Sequence, residues 1–280
     1  MPKMKLCDIV SQLSAAGIEN SAFEARLLVS HFTGIPESRL IAEKDAILPE
    51  TNALADAVSR RAAREPLQYI LGQWDFMGLT FKVTRDCLIP RADTEILCEL
   101  GIKMLPFGGK LLDLCTGSGC IAASVAHYRT DASVTALEKY ENTASVAREN
   151  FNRLNDGKVK LVVADATSYA DAEKYFVREQ FDVILSNPPY VTSDEMESLE
   201  AELAAEPAAA LTDGGDGLSF YRAIIKIYPD YLKCGGVLAF EHGYSQGEAV
   251  REILQYAGYS PATICDLSGN PRVTYITKGE

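Results

Sequence analysis

An apolar strand that is forced to stop constrains this chain more than any other feature. Phe181-Asp182-Val183-Ile184-Leu185-Ser186 has strand character and runs directly into Asn187-Pro188-Pro189-Tyr190. Neither proline can donate to a sheet ladder, and Pro188 pushes Asn187 toward an extended conformation. The strand therefore ends in a stiff loop whose polar groups face outward. That loop holds two acceptors close together, the side-chain carbonyl of Asn187 and the backbone carbonyl of Pro188. The aromatic face of Tyr190 follows. Together they read as a clamp for a planar –NH2 group, in which two acceptors take the two hydrogens and the ring covers the face. The bland alternative is a double-proline loop with no chemistry attached.

From Lys110 onward, strands and helices alternate, the pattern of a parallel α/β sheet. Strands are expected at 110–114, 134–137, 160–163, the run before Asn187, and 236–240, with a final antiparallel pair at 262–266 and 273–277. Helices are expected from Cys120 to Tyr128 and over 141–154, 219–232 and 245–256. In open α/β sheets, ligands sit beyond the carboxyl ends of the strands, near where the strand order reverses. Several groups of binding character fall there: Cys115-Thr116-Gly117-Ser118-Gly119 after the first strand, Glu138 after the second, Asp165 after the third and Asn187 after the fourth. Glu138 lies about 20 residues past the glycine loop, placed to accept hydrogen bonds from ribose hydroxyls. Gly117-x-Gly119-x-x-Ala122 also satisfies the dinucleotide fingerprint, so on this loop alone NAD competes. The clamp weighs the other way. A dehydrogenase has no need for two carbonyl acceptors and an aromatic lid beside its cofactor, whereas methyl transfer to nitrogen does. S-adenosylmethionine offers a cationic sulfonium, an adenosine for Glu138 and a methyl to point at Asn187.

The first 72 residues read as a separate helical domain of four or five short helices. Ile9, Leu13 and Ala16, then Phe23, Ala25, Leu27 and Leu28, recur at roughly helical spacing. Ser21 with Glu24 resembles a capping box, and Gly34-Ile35-Pro36 and Leu48-Pro49-Glu50 mark breaks. Arg60, Arg61 and Arg64 form either a solvated basic face or a docking surface. Residues 73–90 alternate around a Gly-containing turn and read as a β-hairpin linker, leaving 91–280 as the catalytic domain. Asp93 or Thr94 is expected to cap a helix through Leu100. Arg91 with its neighbouring acids is either a structural ion-pair network or part of the site.

Charge narrows the partner. Net charge is −12, and residues 73–280 carry 19 basic and 30 acidic side chains, a field that repels nucleic-acid phosphates. Seven cysteines without a Cys-x-x-Cys, and His31, His127 and His242 scattered along the chain, suggest neither a disulfide framework nor a metal site. No apolar run approaches the ~20 residues that span a bilayer. The start reaches Asp8 before any signal-peptide core develops. A cytoplasmic, monomeric protein with no membrane contact is expected.

Leu114 to Gly119 with Asn187 to Tyr190 resembles a class I methyltransferase acting on an sp2 amine or amide nitrogen. Further segments resemble the HemK/PrmC family: Arg64-Glu65-Pro66-Leu67, Gly72 through Phe76, Leu88-Ile89-Pro90-Arg91-Ala92-Asp93-Thr94-Glu95, Glu206-Pro207, Glu241-His242-Gly243, Gln246-Gly247 and Asn270-Pro271-Arg272-Val273. The resemblance implies a Rossmann-like, seven-stranded α/β sheet of the S-adenosylmethionine-dependent class. It also implies a helical domain that helps to grip the substrate, and methylation of the glutamine in the Gly-Gly-Gln motif of class 1 peptide-chain release factors. The residues carried over as catalytic and substrate-binding are Asn187, Pro188, Pro189 and Tyr190. Those carried over for the cofactor are Cys115, Thr116, Gly117, Ser118, Gly119, Glu138, Asp165, Ala166 and Asn187. Three positions depart from the family pattern: Cys115 where glycine is common, Ala92 where proline is common, and Ala166 where a large residue packs on adenine. The clamp also suits adenine N6 or guanine N2, so a nucleic-acid amino-methyltransferase is the competing reading. A noncatalytic adaptor that retains the fold is a further one.

Overall fold

In the computed structural model of the chain, residues 5–43, 46–49 and 51–279 are described. They form two compact units, one of the described residues up to Gln73 with 200–205, the other of 74–199 with the described residues from Glu206 onward.

The first unit holds helices α1 (Leu6–Ala15), α2 (Ser21–Thr33), α3 (Glu37–Ala42), α4 (Asn52–Ala62) and α5 (Leu67–Leu71). Ile9, Leu13, Ala25, Leu28, Leu40 and Leu54 meet in its core and are buried. The Thr51 hydroxyl accepts the Leu54 N–H at 3.1 Å and starts α4. Two expectations fail here. Ser21 and Glu24 form no capping box: α2 already begins at Ser21, and no side chain caps it. The Glu24 carboxylate accepts instead from Arg61 Nε at 2.5 Å, a charge-assisted bond stronger than a cap. Arg61 is neither solvated nor available for docking. It is 5% exposed and also donates to Glu202 at 3.0 Å, while Arg64 donates to the other Glu202 oxygen at 2.8 Å. Of the break at Leu48-Pro49-Glu50, Glu50 lies outside the described residues.

The second unit opens within a hairpin, β1 (Gln73–Phe76, its first residue counted with the first unit) and β2 (Leu79–Lys82), turned by Met77 and Gly78, both at positive φ. There follow α6 (Thr94–Met104), β3 (Lys110–Leu114), α7 (Cys120–Tyr128), β4 (Ser133–Glu138), α8 (Glu141–Asn155) and β5 (Lys160–Val163). Next come α9 (Tyr169–Tyr175), β6 (Phe181–Ser186) and three single-turn helices, α10 (Ser193–Met196), α11 (Ala201–Ala204, in the first unit) and α12 (Ala208–Leu211). The chain ends with α13 (Ser219–Ile227), a 3₁₀ turn (Tyr228–Tyr231), β7 (Leu232–Glu241), α14 (Gly247–Tyr256), β8 (Ala262–Cys265) and β9 (Pro271–Thr277).

The seven-stranded sheet has the order β5-β4-β3-β6-β7-β9-β8. All pairs are parallel except those of β9 with β7 and β8. Helices cover both faces, which is why the central strands are apolar nearly throughout. On one face Leu111, Val183, Leu185, Val237 and Ala239 pack with Leu97 of α6, Ile121 and Val125 of α7, and Phe151 of α8. On the other, Leu112, Leu114, Ile184, Leu238 and Phe240 pack with Tyr221 and Ile224 of α13 and Val250 and Leu254 of α14. Order runs outward from β3 through β4 to β5 on one side and through β6 to β7 on the other. The carboxyl ends of β3 and β6 are therefore the switch point, where a crevice opens.

Element ends differ from expectation where tertiary contacts extend or break them. β7 begins at Leu232 because Gly235 and Gly236 exchange backbone hydrogen bonds with Lys278. Pro229 ends the expected long helix in a 3₁₀ turn. Helix α6 runs to Met104, past Leu100.

Ile184, fully buried at the centre of the sheet, has no room for loss. Ile184→Ala should lower unfolding stability by ~2–5 kcal/mol. Phe107→Ala, at a site 93% exposed, should stay within about 0.5 kcal/mol. Denaturant midpoints at constant slope would check both.

Candidate active site at the strand switch point

A cavity of about 300 Å³ lies over the carboxyl ends of β3, β4, β5 and β6. Its walls include Cys115, Thr116, Gly117, Ser118, Glu138, Asp165, Ala166, Asn187 and Pro189, nine of the residues singled out from sequence. Gly119, Pro188 and Tyr190 do not line it.

The β3–α7 loop is built around a buried carboxylate. Asp113, fully buried on β3, accepts from the Thr116 hydroxyl at 2.5 Å and from the Ala122 N–H, in the first turn of α7, at 3.2 Å. Burial pushes its pKa up to about 7, although the Thr116 and Ala122 donors favour the charged form. Its second oxygen has no partner. Sequence inspection missed Asp113 because an acid inside an apolar strand reads as a local irregularity. The signal was the unusual charge in Lys110–Leu114.

The two glycines of the loop do different work. Gly117 faces open space, whereas a Cβ on Gly119 would stand 2.6 Å from the Phe151 ring of α8. Gly119 thus brings helix and loop together and does not approach a ligand. Cys115 sits at φ 60°, a left-handed conformation that glycine adopts more readily. That accounts for the glycine common here in the family pattern, and the loop forms with Cys115 in its place.

Glu138, at the end of β4, is held by three backbone donors. Gly117 N–H donates at 3.1 Å, Lys139 N–H at 2.9 Å and Tyr140 N–H at 3.1 Å. Burial nonetheless raises its pKa. At the end of β5, Asp165 accepts from the Thr167 N–H and hydroxyl and pairs with Lys139 Nζ at 2.8 Å. Burial opposes its charge, but these partners outweigh burial and lower its pKa. Ala166 is buried and offers only a methyl, while larger side chains on the cavity wall include Leu88, Ile121, Leu137, Tyr140 and Phe220.

The clamp loop is fixed from outside. Gln246 Nε2 donates to the Tyr190 carbonyl at 2.8 Å, and Val191 N–H donates to the Leu211 carbonyl at 2.7 Å. The turn before α13 presses against the same carbonyl. A Cβ on Gly217 would lie 2.2 Å from the Tyr190 oxygen, so only glycine fits. Tyr190 itself is half-buried against the α13–α14 apolar layer.

The Asn187 side chain donates from Nδ2 to the Thr94 hydroxyl oxygen at 3.2 Å. Thr94, buried at the start of α6, therefore engages the clamp, and no side chain caps α6. Behind them is Glu241, 2% exposed at the end of β7, with one carboxyl oxygen unpartnered. Burial pushes its pKa up to about 7, opposed in part by hydrogen bonding from Thr94 and Asn187.

Nearby charges are paired. Arg91, on the cavity wall, pairs with Glu206, which also accepts the Ile89 N–H at 2.9 Å. Asp93 pairs with Arg272 at 3.0 Å, and Glu95 accepts the Met77 N–H at 2.8 Å. His242 is fully buried with Nδ1 against the Gly243 carbonyl and Nε2 against Thr274, both at 2.9 Å. Its ring is committed to structure. Among the described residues no His/Cys/Asp/Glu group is disposed to hold a metal ion, and no helix is long and apolar enough to cross a membrane.

The site fits an adenosyl ligand carrying a cationic centre. It offers a buried carboxylate at the end of β4, an open glycine wall, apolar side chains at the ends of β4 and β5, and the Asn187 side-chain amide at the end of β6.

Comparisons with known proteins agree with this reading. Residues 6–72 match the family described as the PrmC N-terminal domain, and residues 93–232 match the methyltransferase small domain. A Geobacter sulfurreducens protein named release factor glutamine methyltransferase is 37% identical over 265 residues, spanning 93% of this chain and 91% of that one. A Cereibacter sphaeroides protein of the same name is 39% identical over 269 residues, 94% of each. The solved structure of a methyltransferase from Pyrococcus furiosus, 23% identical, covers 72% of this chain and 90% of its own, with a TM-score of 0.52. That likeness bears on the fold.

Because Asp113 is neutral more readily in the folded state, the folded protein binds the extra proton. Stability relative to Asp113→Asn is therefore greatest below about pH 4, falls as pH rises to about 7 and is level above it. Unfolding of both proteins across pH 4–8 would check the sign.

Proposed function

The chain belongs to the release factor glutamine methyltransferase family, with a class I methyltransferase fold, and on that premise we propose its reaction. It transfers a methyl group from S-adenosylmethionine to the side-chain amide nitrogen, N5, of the glutamine in the Gly-Gly-Gln motif of class 1 peptide-chain release factors. The observation that carries the reading is that Asn187 and Pro189, from the stiff loop after β6, share the wall of one cavity with Glu138 and Gly117.

When bound, S-adenosylmethionine supplies an electrophilic methyl on a sulfonium. Glu138 would receive the ribose hydroxyls, Leu137, Tyr140 and Ala166 would wall the adenine, and Asp165 would complete the polar edge. An amide nitrogen is a poor nucleophile because its lone pair is delocalised into the carbonyl. Asn187 Oδ1 and the Pro188 carbonyl accept its two N–H bonds, orient it and stabilise the positive charge that grows on it. Acceptors fixed before the reaction cost no reorganisation, and a water-poor site strengthens them. Holding the nitrogen in line supplies the proximity term. Pro189 stiffens the loop, and Tyr190 fixes its exit. The methylated amide cation is strongly acidic and gives its proton to water, so the committed ring of His242 has no part as base.

The chain's proposed setting is the cytoplasm, where it acts on a protein of the translation apparatus. The acidic balance of residues 73–280 speaks against direct nucleic-acid binding.

The test is transfer of labelled methyl from S-adenosylmethionine to a release factor, beside the same factor with its Gly-Gly-Gln glutamine replaced, with duplex DNA and ribosomal RNA in parallel. Label on the intact factor alone is expected. Label on nucleic acid alone would overturn the substrate. Asn187→Ala should lower kcat by ~10²–10³, while cofactor affinity changes less than about threefold.

A further inference from the structure

A loop presents its acceptors in one direction only if both of its ends are held. Ser186, before the clamp, is held in ladders with Leu114 and Phe240. Beyond the clamp the Tyr190–Val191 peptide plane is held on both sides. Val191 N–H donates to the Leu211 carbonyl at 2.7 Å, and the Tyr190 carbonyl accepts from Gln246 Nε2 at 2.8 Å. Between these ends the rings lock φ of Pro188 and Pro189. What stays free is φ and ψ of Asn187 and Tyr190 and ψ of the prolines, as many torsions as a rigid body has degrees of freedom. With both ends fixed, such a segment has only separate conformations and cannot swing smoothly between them.

Gln246 is committed to that plane. It stands at the start of α14, yet its side chain does not cap the helix. Its Oε1 accepts instead from the Gly243 N–H, in the loop after β7, at 3.1 Å. A backbone N–H only donates and a backbone carbonyl only accepts, so these two partners leave the amide one orientation. Gly247 sets its position. A Cβ there would stand 2.9 Å from Pro271 Cβ, so glycine lets α14 begin against β9. The turn before α13 closes in from the other side, since a Cβ on Gly217 would stand 2.7 Å from Gln246 Nε2. Resting on the function proposed above, we propose that Gln246 is a positioning residue for methyl transfer. Its amide ties the exit of the clamp loop to the end of β7, and so fixes the direction in which Asn187 and the Pro188 carbonyl meet the substrate amide. Without Nε2 the peptide plane swings about its remaining bond to Leu211, and the two acceptors lose their common aim.

Two substitutions separate this role from a loss of packing. Gln246→Met keeps the length of the side chain and removes both hydrogen bonds. In Gln246→Glu one carboxylate oxygen still accepts from Gly243, but the other faces the Tyr190 carbonyl with no hydrogen to offer and repels it. Position 246 is only half-buried, so the introduced carboxyl is ionised at about pH 8. Glutamate is closer to glutamine in shape and polarity than methionine is, yet it should be the more damaging replacement.

The experiment combines kinetics of methyl transfer to a release factor with NMR on the full chain bound to S-adenosylhomocysteine. Gln246→Met should lower kcat by about tenfold and Gln246→Glu by more, with cofactor Kd and substrate KM within about threefold. In both variants the Pro188 carbonyl carbon and the Asn187 side-chain amide should shift or broaden, while Leu112, inside β3, keeps its signals. Retained S-adenosylhomocysteine binding shows that each variant is folded. A Gln246→Glu enzyme no slower than Gln246→Met, or Pro188 and Asn187 signals that neither variant moves, would overturn the inference. So would a fall in kcat matched by an equal loss of cofactor affinity, the mark of a general defect in the fold. Absence of methyl transfer to the release factor by the wild type would sink the proposed substrate, while the Pro188 and Asn187 signals would still decide whether Gln246 holds the loop.

Discussion

Everything in the site depends on β3 and β6 lying side by side while the chain leaves them in opposite directions. Leu114 and Ser186 are register partners, and the Ser186 hydroxyl donates to the Leu114 carbonyl at 3.1 Å where the ladder opens. Beyond that stitch one chain turns through Cys115 into α7 and the other through Asn187 into the proline loop. A cofactor loop and an acceptor loop thus stand beside each other without any long-range folding of loops. The apolar layers on both faces keep the two strands from sliding. A register slip of one residue would turn Asp113 and Ser186 to the wrong face.

Polar groups around this crevice are used with little redundancy. Asp113 organises the α7 turn, Glu138 gathers three N–H groups, Glu206 fixes Arg91 and the Ile89 backbone, and Asp213 accepts from the N–H groups of Gly215, Gly217 and Ser219. Acidic side chains fold the loops here by taking backbone donors that no helix or strand can satisfy. Much of the excess negative charge is therefore architectural. The protein's acidity has a structural cause as well as a bearing on partners.

The fold was legible where pattern is local. Strand runs such as Val183–Leu185, the glycine loop and the double proline announce themselves over a few residues, and their order along the chain dictates a parallel sheet. The start of β7 at Leu232 is set by Lys278, a neighbour far away in sequence, whereas the break at Pro229 is local. That Asn187 and Glu138 meet at one cavity was legible because each stands at the carboxyl end of a strand. Thr94 and Glu241 were not, since each is an ordinary residue until folding sets it behind Asn187. Arg61 shows the same limit: three arginines within five residues look solvated, and only the partners Glu24 and Glu202 reveal burial. Ser21 looked like a cap for the same reason, because the competing claim on Glu24 comes from Arg61, a residue of α4.

The stretch Glu200–Ala205 leaves the body of the catalytic unit and is counted with the first, where Glu202 takes hydrogen bonds from both Arg61 and Arg64. The chain thus passes from one unit to the other more than once, and no single cut separates them. A fragment starting at Trp74 would keep Glu202 but lose both guanidinium partners, leaving α11 without its attachment a few residues ahead of Glu206. Dissecting this protein into parts calls for removing or replacing that short loop together with the first 73 residues.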